Sequence, residues 1–261
     1  MRRRRKGFYR KVFIVICLGA FLFASYKLID MAVGYYKNSK VIEEVQGKFY
    51  QDAPTMNERE LVEFDPDLIV EEEEVDPSFE QLLKENADVK GWIKVEGTKI
   101  DYPILQGADN LAYLRKNYYK EYSPAGSIFL DFRNDVDDLD NNTVIYGHRM
   151  KDGSMFEPIV NYEDEDFLKN NPVIELETLH GSYEAEVFAA YETTTDFNYI
   201  QTEFSSAGEF GSFLSEINKK SVIESDVDVN EGDKIITLST CDYNLDPIAG
   251  RFAVHAKLIE K

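Results

Sequence analysis

Three regimes of apolar and polar positions follow one another along the chain, and each predicts a different kind of element. The first is an uncharged, mainly apolar run over residues 12–26, ended by Lys27, with Leu28 and Ile29 beyond. Such a run is short against the ~20 residues of a spanning helix, but Lys27 can snorkel and lengthen the usable span. The competing reading is a cleaved signal peptide, which needs small residues at −3 and −1 of the cut. Ala24 has Leu22 at −3 and Ser25 has Phe23, so neither fits. Arg2 to Arg5, Lys6, Arg10 and Lys11 precede the run without an acidic residue among them. The reading is an uncleaved single-pass anchor over residues 12–29, with residues 1–11 as a basic cytoplasmic head and the remainder outside the cell membrane.

The second regime, residues 30–75, is polar and acidic, with Glu43, Glu44, Glu58, Glu60 and four consecutive glutamates from Glu71 to Glu74. It predicts an extracellular stalk, partly helical where it continues from the membrane. The glutamate run is a solvated spacer, since nothing near it has the spacing of a metal site.

The third regime fills residues 76–261 and predicts a packed domain. Asp76-Pro77 has the form of a helix start, a capping residue followed by proline at the first helical position. Phe79, Leu82 and Leu83 then give that helix an apolar stripe. Residues 92–95 and 99–102 read as strands around a Glu96-Gly97 turn, and residues 127–131 and 143–148 as two more. Residues 156–159 and 165–169 read as short helical turns. Residues 173–177 and 183–189 are strands joined across His180-Gly181, so His180 is expected at the surface. Phe210, Phe213, Leu214 and Ile217 recur with helical spacing. The last strand alternates Phe252, Val254, Ala256 and Leu258 against Arg251, Ala253, His255 and Lys257. Period two puts His255 on the Arg251 face but ~13 Å along the strand, which assigns it to structure rather than chemistry. These elements predict a mainly β protein: a short, twisted, mostly antiparallel barrel with added helices.

Charge narrows the partners. The net charge is −20, yet removing the basic head leaves 22 Lys and Arg against 49 Asp and Glu, a net of −27. Such a surface repels phosphate backbones and argues against nucleic acid. It suits amine-bearing partners, although acidity of this kind also serves solubility alone. Asp131, Asn134, Asp135, Asp137, Asp138 and Asp140 resemble a cation loop at first sight. They lack the glycine and terminal glutamate of an EF-hand, so a solvated loop is expected. There is no Gly-rich phosphate loop and no Cys/His metal spacing, so no metal and no cofactor are implied.

Two cysteines remain. Cys17 lies in the apolar N-terminal run and Cys241 ends the β-run Ile235-Ile236-Thr237-Leu238-Ser239-Thr240-Cys241. On opposite sides of a membrane they cannot pair, which leaves Cys241 as a free thiol in an extracytoplasmic domain. A buried apolar cysteine is the bland alternative. Against it stands Arg251, which opens a strand after a loop rich in turn-formers (Asp242, Asn244, Asp246, Pro247, Gly250). Two strands joined in this way can set thiol and guanidinium side by side at one rim. A fixed cation favours the thiolate and can hold a developing oxyanion. The best-placed acid/base is His148, which ends the run Thr143-Val144-Ile145-Tyr146-Gly147-His148.

Thr237-Leu238-Ser239-Thr240-Cys241 with an arginine ten residues later, together with Asn142-Thr143-Val144-Ile145-Tyr146-Gly147-His148, resembles a sortase, and in detail a class B sortase. The resemblance covers residues 79–261 and includes Gly91-Trp92-Ile93, the segment from Ile100 to Gln106, and the segment from Gly126 to Asp131. It implies an eight-stranded sortase-type β-barrel with N-terminal helices and a helix inserted before the penultimate strand. It implies a Gram-positive cell-surface cysteine transpeptidase. A sorting signal is cut after threonine through a thioester on Cys241, and the new carboxyl end is joined to a peptidoglycan amine. His148 would serve as general acid, then base, and Arg251 would hold substrate and oxyanion. Because thiolate and imidazolium must coexist, slow turnover is expected. By the same matching Asn110, Leu114, Tyr146, Thr195, Tyr199, Ile200, Ser239 and Asp242 fall where class B sortases contact substrate. For Leu114, Tyr199 and Ile200 core packing competes with that role, and Asp242 could alternatively orient His148. The expected partners are surface proteins with an Asn-Pro-x-Thr-like signal and a peptidoglycan amine.

Three rivals stand beside this reading. A pilin-polymerising sortase would use a protein lysine as the acceptor. A cysteine peptidase acting by hydrolysis alone would share the thiol and imidazole, but commonly carries its cysteine on a helix N-terminus with an amide oxyanion hole. An anchored binding module or inactive sortase is contradicted by the presence of all three candidate residues.

Overall fold

The computed structural model describes residues 2–52, 75–135, 139–241, 245–246 and 248–261. The polar segment over residues 53–74, with its glutamate run, lies outside the described residues. The chain divides into two compact units between Lys40 and Val41. In the first unit, helix α1 (Arg2–Asp52) carries a segment long and apolar enough to cross a membrane, and Phe13, Phe21 and their neighbours are exposed along it.

The second unit begins at Val41, earlier than the expected domain start at residue 76, because the last turns of α1 belong to its core. Val45 and Phe49 are buried at i, i+4 spacing, and the Phe49 ring stacks on Trp92 at 4.1 Å and 6°. Lys48, between them, is held by Glu85 at 2.8 Å, Glu44 at 2.9 Å and the Tyr119 hydroxyl at 2.9 Å. Helix α2 (Pro77–Glu85) starts as the sequence predicts, with the Asp76 carboxylate accepting from the Ser78 N–H at 2.9 Å. Its Phe79 and Leu82 complete this outer cluster.

Eight strands close the barrel: β1 (Val89–Lys94), β2 (Asp101–Leu105), β3 (Ile128–Leu130), β4 (Asn142–Tyr146), β5 (Val173–Thr178), β6 (Ser182–Thr194), β7 (Ile235–Cys241) and β8 (Gly250–Glu260). Their order is β1-β2-β3-β4-β7-β8-β6-β5. The β2–β3 and β4–β7 pairs are parallel and the remaining pairs antiparallel. A 3-10 helix (Glu157–Glu163) and helix α3 (Glu165–Asn170) occupy the expected helical turns. Helix α4 (Ala207–Lys220) lies between β6 and β7, as the fold class requires.

Period two decides what each strand residue meets. Ile145, Ile236, Leu238, Phe252 and Val254 point into the barrel. Phe188, Ala189, Tyr191 and Ala253 pack outward against Phe210, Phe213, Leu214 and Ile217 of α4. Strands covered on both faces read as near-continuous apolar runs. This is why β6 continues five residues past its expected end at Ala189, through Ala190 and Tyr191, and pairs with β8 as far as Thr194.

His255, on the outer face of β8, is fully buried. The Asn142 amide donates to the Gln201 carbonyl at 2.9 Å, and its oxygen accepts from Thr237 Oγ1 at 2.6 Å. With its proton so used, Thr237 accepts from His255 Nδ1–H at 2.8 Å, which leaves Nε2 to accept from the Tyr191 hydroxyl at 2.8 Å. Both ring nitrogens are satisfied in the neutral form, and burial pushes the pKa down to about 3. The structural role expected of His255 follows from this network.

The stretch after β3 departs from the expected solvated loop. Asp131 is completely buried and Asn134 nearly so. Asn134 pins the loop's two ends through Asp140, at 2.7 Å, and the backbone of Asn142 and Val144, both at 2.9 Å. Asp137 and Asp138 lie outside the described residues.

Candidate active site

The strand order gathers the ends of the segments that carry the three sequence-selected residues. In the parallel β4–β7 pair Tyr146 stands opposite Ser239, and the Gly147 N–H extends the ladder to the Ser239 carbonyl at 3.2 Å. His148 follows two residues after Tyr146, past the end of β4, and Cys241 two residues after Ser239 at the end of β7. In the antiparallel β7–β8 pair Cys241 stands directly opposite Arg251. Cys241 and Arg251 therefore occupy paired positions on neighbouring strands about 4.8 Å apart, and His148 follows the end of the strand on the other side of β7.

These residues line a cleft of about 300 Å³. Asn110, Leu114, Tyr146, Thr195, Tyr199, Ile200 and Ser239 line it too, so seven of the eight residues selected as peptide contacts share one cleft with the candidate chemistry. The eighth, Asp242, lies outside the described residues. Phe129, Gly147, Phe197, Asn198 and Thr240 also contribute, and sequence reasoning missed them. The apolar ones look like ordinary core residues in sequence, so only their neighbours could have marked them.

Each wall has a local cause. Gly147 turns the chain out of β4 where a side chain would not fit: a Cβ there would stand 2.5 Å from Ile128 Cδ1 and 2.6 Å from Phe156 Cγ. The long β6 carries Thr195 to the Arg251 end of the sheet, since Thr193 pairs with Arg251. Tyr199 is both core and wall: it is buried, and its hydroxyl lies 2.9 Å from Ser239 Oγ. Burial raises its pKa, the nearby Cys241 adds to the rise, and Arg251 opposes it.

The His148 ring is half-buried and its Nε2 lies 2.8 Å from the Leu114 carbonyl. A carbonyl only accepts, so Nε2 carries the proton. Nδ1 has no hydrogen-bond partner among the described residues, and is therefore the nitrogen available for proton transfer. Burial lowers the His148 pKa and Arg115 lowers it further, against the opposing pull of the Leu114 carbonyl. The resting ring is neutral at pH 7. Arg251 Nη1 donates to the carbonyls of Gly250 at 2.8 Å and Ile248 at 3.1 Å. That fixes the guanidinium while Nε and Nη2 bond nothing else among the described residues. The Cys241 thiol is free and partly exposed. A nucleophile, a proton-transfer group and a rigid fork of donors at one rim can perform acyl transfer through a thioester.

A family model for the sortase domain matches residues 93–259. The chain is similar to Sortase B of Listeria monocytogenes serovar 1/2a, at 41% identity over 256 residues, covering 98% of this chain and 99% of that protein. It is also similar to Sortase B of Staphylococcus aureus strain NCTC 8325, at 43% over 189 residues, covering 72% and 78%. Among solved structures, a Staphylococcus aureus sortase B–substrate complex superposes with a TM-score of 0.77 at 38% identity, covering 87% of this chain and 99% of that one.

Proposed function

Because this chain belongs to the sortase family, as a class B member, we propose that Cys241, His148 and Arg251 are the residues with which it joins secreted proteins to the cell wall. A class B sortase is a cysteine transpeptidase that anchors proteins to the cell wall. The observation that carries the residue assignment is that His148, just past the end of β4, lines one cleft with Cys241 and Arg251, which pair across β7 and β8.

Cys241 Sγ passes its proton to His148 Nδ1, and the thiolate so formed attacks the threonine carbonyl of an Asn-Pro-x-Thr-like sorting signal. Its electron pair forms the C–S bond, and Arg251 holds the resulting oxyanion through its free N–H groups. When the tetrahedral intermediate collapses, the C–N bond breaks and His148 Nδ1 gives its proton to the departing amine. A peptidoglycan amine then attacks the thioester and Nδ1 takes its proton; as the new amide forms the C–S bond breaks, and Nδ1 returns the proton to the departing sulfur. His148 is mostly neutral at rest, so few molecules hold thiolate and imidazolium together, and turnover is slow. Asn110, Leu114, Tyr146, Thr195, Tyr199, Ile200, Ser239 and Asp242 hold the peptide.

The apolar segment of α1 anchors the protein in the membrane by a single pass, with the basic residues 1–11 in the cytoplasm and the domain outside. Residues 12–29 form that anchor, and residues 76–261 hold all the chemistry.

Product analysis tests the reading. A form beginning at Val41 is incubated with an Asn-Pro-x-Thr peptide, with and without a glycine oligomer or diaminopimelate. The expected product is the new amide, made only when amine is present, and Cys241→Ala makes none. Cleavage to the free acid at the same rate whether or not amine is added would instead make the protein a hydrolase.

A further inference from the structure

The buried carboxylate of Asp131 is used by nothing in the chemistry above, yet it touches more of the cleft than any sequence signal indicated. Its Oδ1 accepts from the Arg133 N–H at 3.0 Å and from Arg133 Nε at 2.8 Å. Its Oδ2 accepts from Arg133 Nη2 at 2.7 Å, Tyr146 Oη at 2.8 Å and Asn110 Nδ2 at 3.0 Å. Burial alone would raise its pKa, but the bonds from Arg133, Tyr146 and Asn110 outweigh that and keep it ionised. Arg133 Nη2 also donates to the Ile200 carbonyl at 3.0 Å. One carboxylate thus ties together three cleft segments: the loop bearing Asn110, the end of β4, and the stretch before α4.

An ionised carboxylate accepts and never donates. Tyr146 must therefore spend its only proton on Asp131, which leaves oxygen lone pairs for anything bound in the cleft. The Asn110 amide is fixed at both ends, because its Oδ1 accepts from the Phe132 N–H at 3.0 Å and its Nδ2 donates to Asp131. Its remaining N–H is left for a ligand. We infer that Asp131 is a positioning residue that sets the hydrogen-bond polarity of the peptide cleft, so that Tyr146 presents an acceptor and Asn110 a donor to the backbone of the sorting peptide. The inference rests on the cleft being the peptide site. A peptide unit, with one N–H and one C=O, is the group such a pair complements. Burying a carboxylate is unfavourable unless it is paired. Here the charge, rather than shape alone, dictates which way two neutral groups point.

The test is a backbone ester scan of the sorting peptide, in which each substitution removes one N–H donor. Wild-type enzyme is expected to show one position where the ester raises KM about 10-fold, the worth of one hydrogen bond to a neutral partner. In Asp131→Asn the new amide donates towards Tyr146 and Asn110. KM for the all-amide peptide should rise about 10-fold, the ester penalty at that position should vanish, and kcat and the rate of Cys241 alkylation by iodoacetamide should stay within about twofold. Tyr146→Phe, which keeps the ring, should lose the same ester penalty, and it decides the matter if Asp131→Asn does not fold. An unchanged ester profile in both variants would overturn the inference while leaving the transpeptidase intact. A fall in kcat and alkylation rate together, with KM unchanged, would also overturn it. Failure of every peptide to acylate wild-type Cys241 would instead remove the reading on which it rests.

Discussion

Adding one methyl group at Gly147 tests how tightly the fold holds His148 against the nucleophile. A Cβ there would lie 2.5 Å from Ile128 Cδ1, 2.6 Å from Phe156 Cγ and 2.7 Å from Phe156 Cδ2. Carbon atoms in contact sit ~3.5–4.0 Å apart, so roughly 1 Å of movement is needed. Phe156 and Ile128 are both buried in the barrel core. Phe156 also donates its N–H to the His148 carbonyl at 3.0 Å, so moving the ring pulls the histidine with it. Relaxation must then pass either through Phe156 or through the backbone of residues 147 and 148, and both routes shift the imidazole. Overpacking of this kind destabilises by about 1–3 kcal/mol. A catalytic group displaced by about 1 Å loses about 10²-fold in rate. Gly147→Ala should therefore unfold at modestly lower urea while its transpeptidation kcat falls ~100-fold with KM little changed. Peptide kinetics beside a urea titration measure both. A variant with wild-type kcat would refute the claim that the Gly147 contact sets the position of His148.

Two further outcomes follow from the packing. Phe49→Ala, in a form beginning at Val41, removes a buried ring stacked on Trp92 and should lower unfolding stability by ~3 kcal/mol in urea, showing that the end of α1 belongs to the catalytic unit. His255 has its folded pKa pushed down to about 3 by burial, from the ordinary 6.5 of an exposed imidazole, so the unfolded chain takes up the proton first. Its contribution is fully present above pH 6.5 and is lost as pH falls towards 3, which amounts to ~2 kcal/mol at pH 5. His255→Gln should flatten the acid limb of a urea-midpoint against pH series by about that amount, while starting from a lower plateau.

The sequence made legible those parts of the fold whose signal is local. The β-run into Cys241, the alternation of β8 and the capped start of α2 each predicted an element that the structure contains, because period and capping act over a few residues. The barrel order and the lengthened β6 were harder to read. Ala189, Ala190 and Tyr191 lose their alternation because α4 covers one face and the barrel the other. Asp131 was misread for a different reason: its surroundings come from Asn110, Arg133 and Tyr146, which only the fold brings together, so a run of acidic residues looked like solvent-facing loop. The end of α1 was readable in principle, since Val45 and Phe49 share a helix face, but the glutamates around them suggested a bare stalk. The cleft residues came from family resemblance rather than from pattern, and the structure explains why pattern failed. Leu114, Tyr199 and Ile200 serve packing and cleft wall together, so their sequence signature is that of a core.

The most direct test of the central claim is intact mass spectrometry of the form beginning at Val41 after incubation with sorting peptides, run beside Cys241→Ala. The expected result is a mass increase equal to the acyl part of the peptide up to threonine, on the wild type alone, that disappears when a glycine oligomer or diaminopimelate is added. If no peptide leaves an adduct, and iodoacetamide also fails to label Cys241, then Cys241 is a buried core residue and the assignment of the nucleophile is wrong.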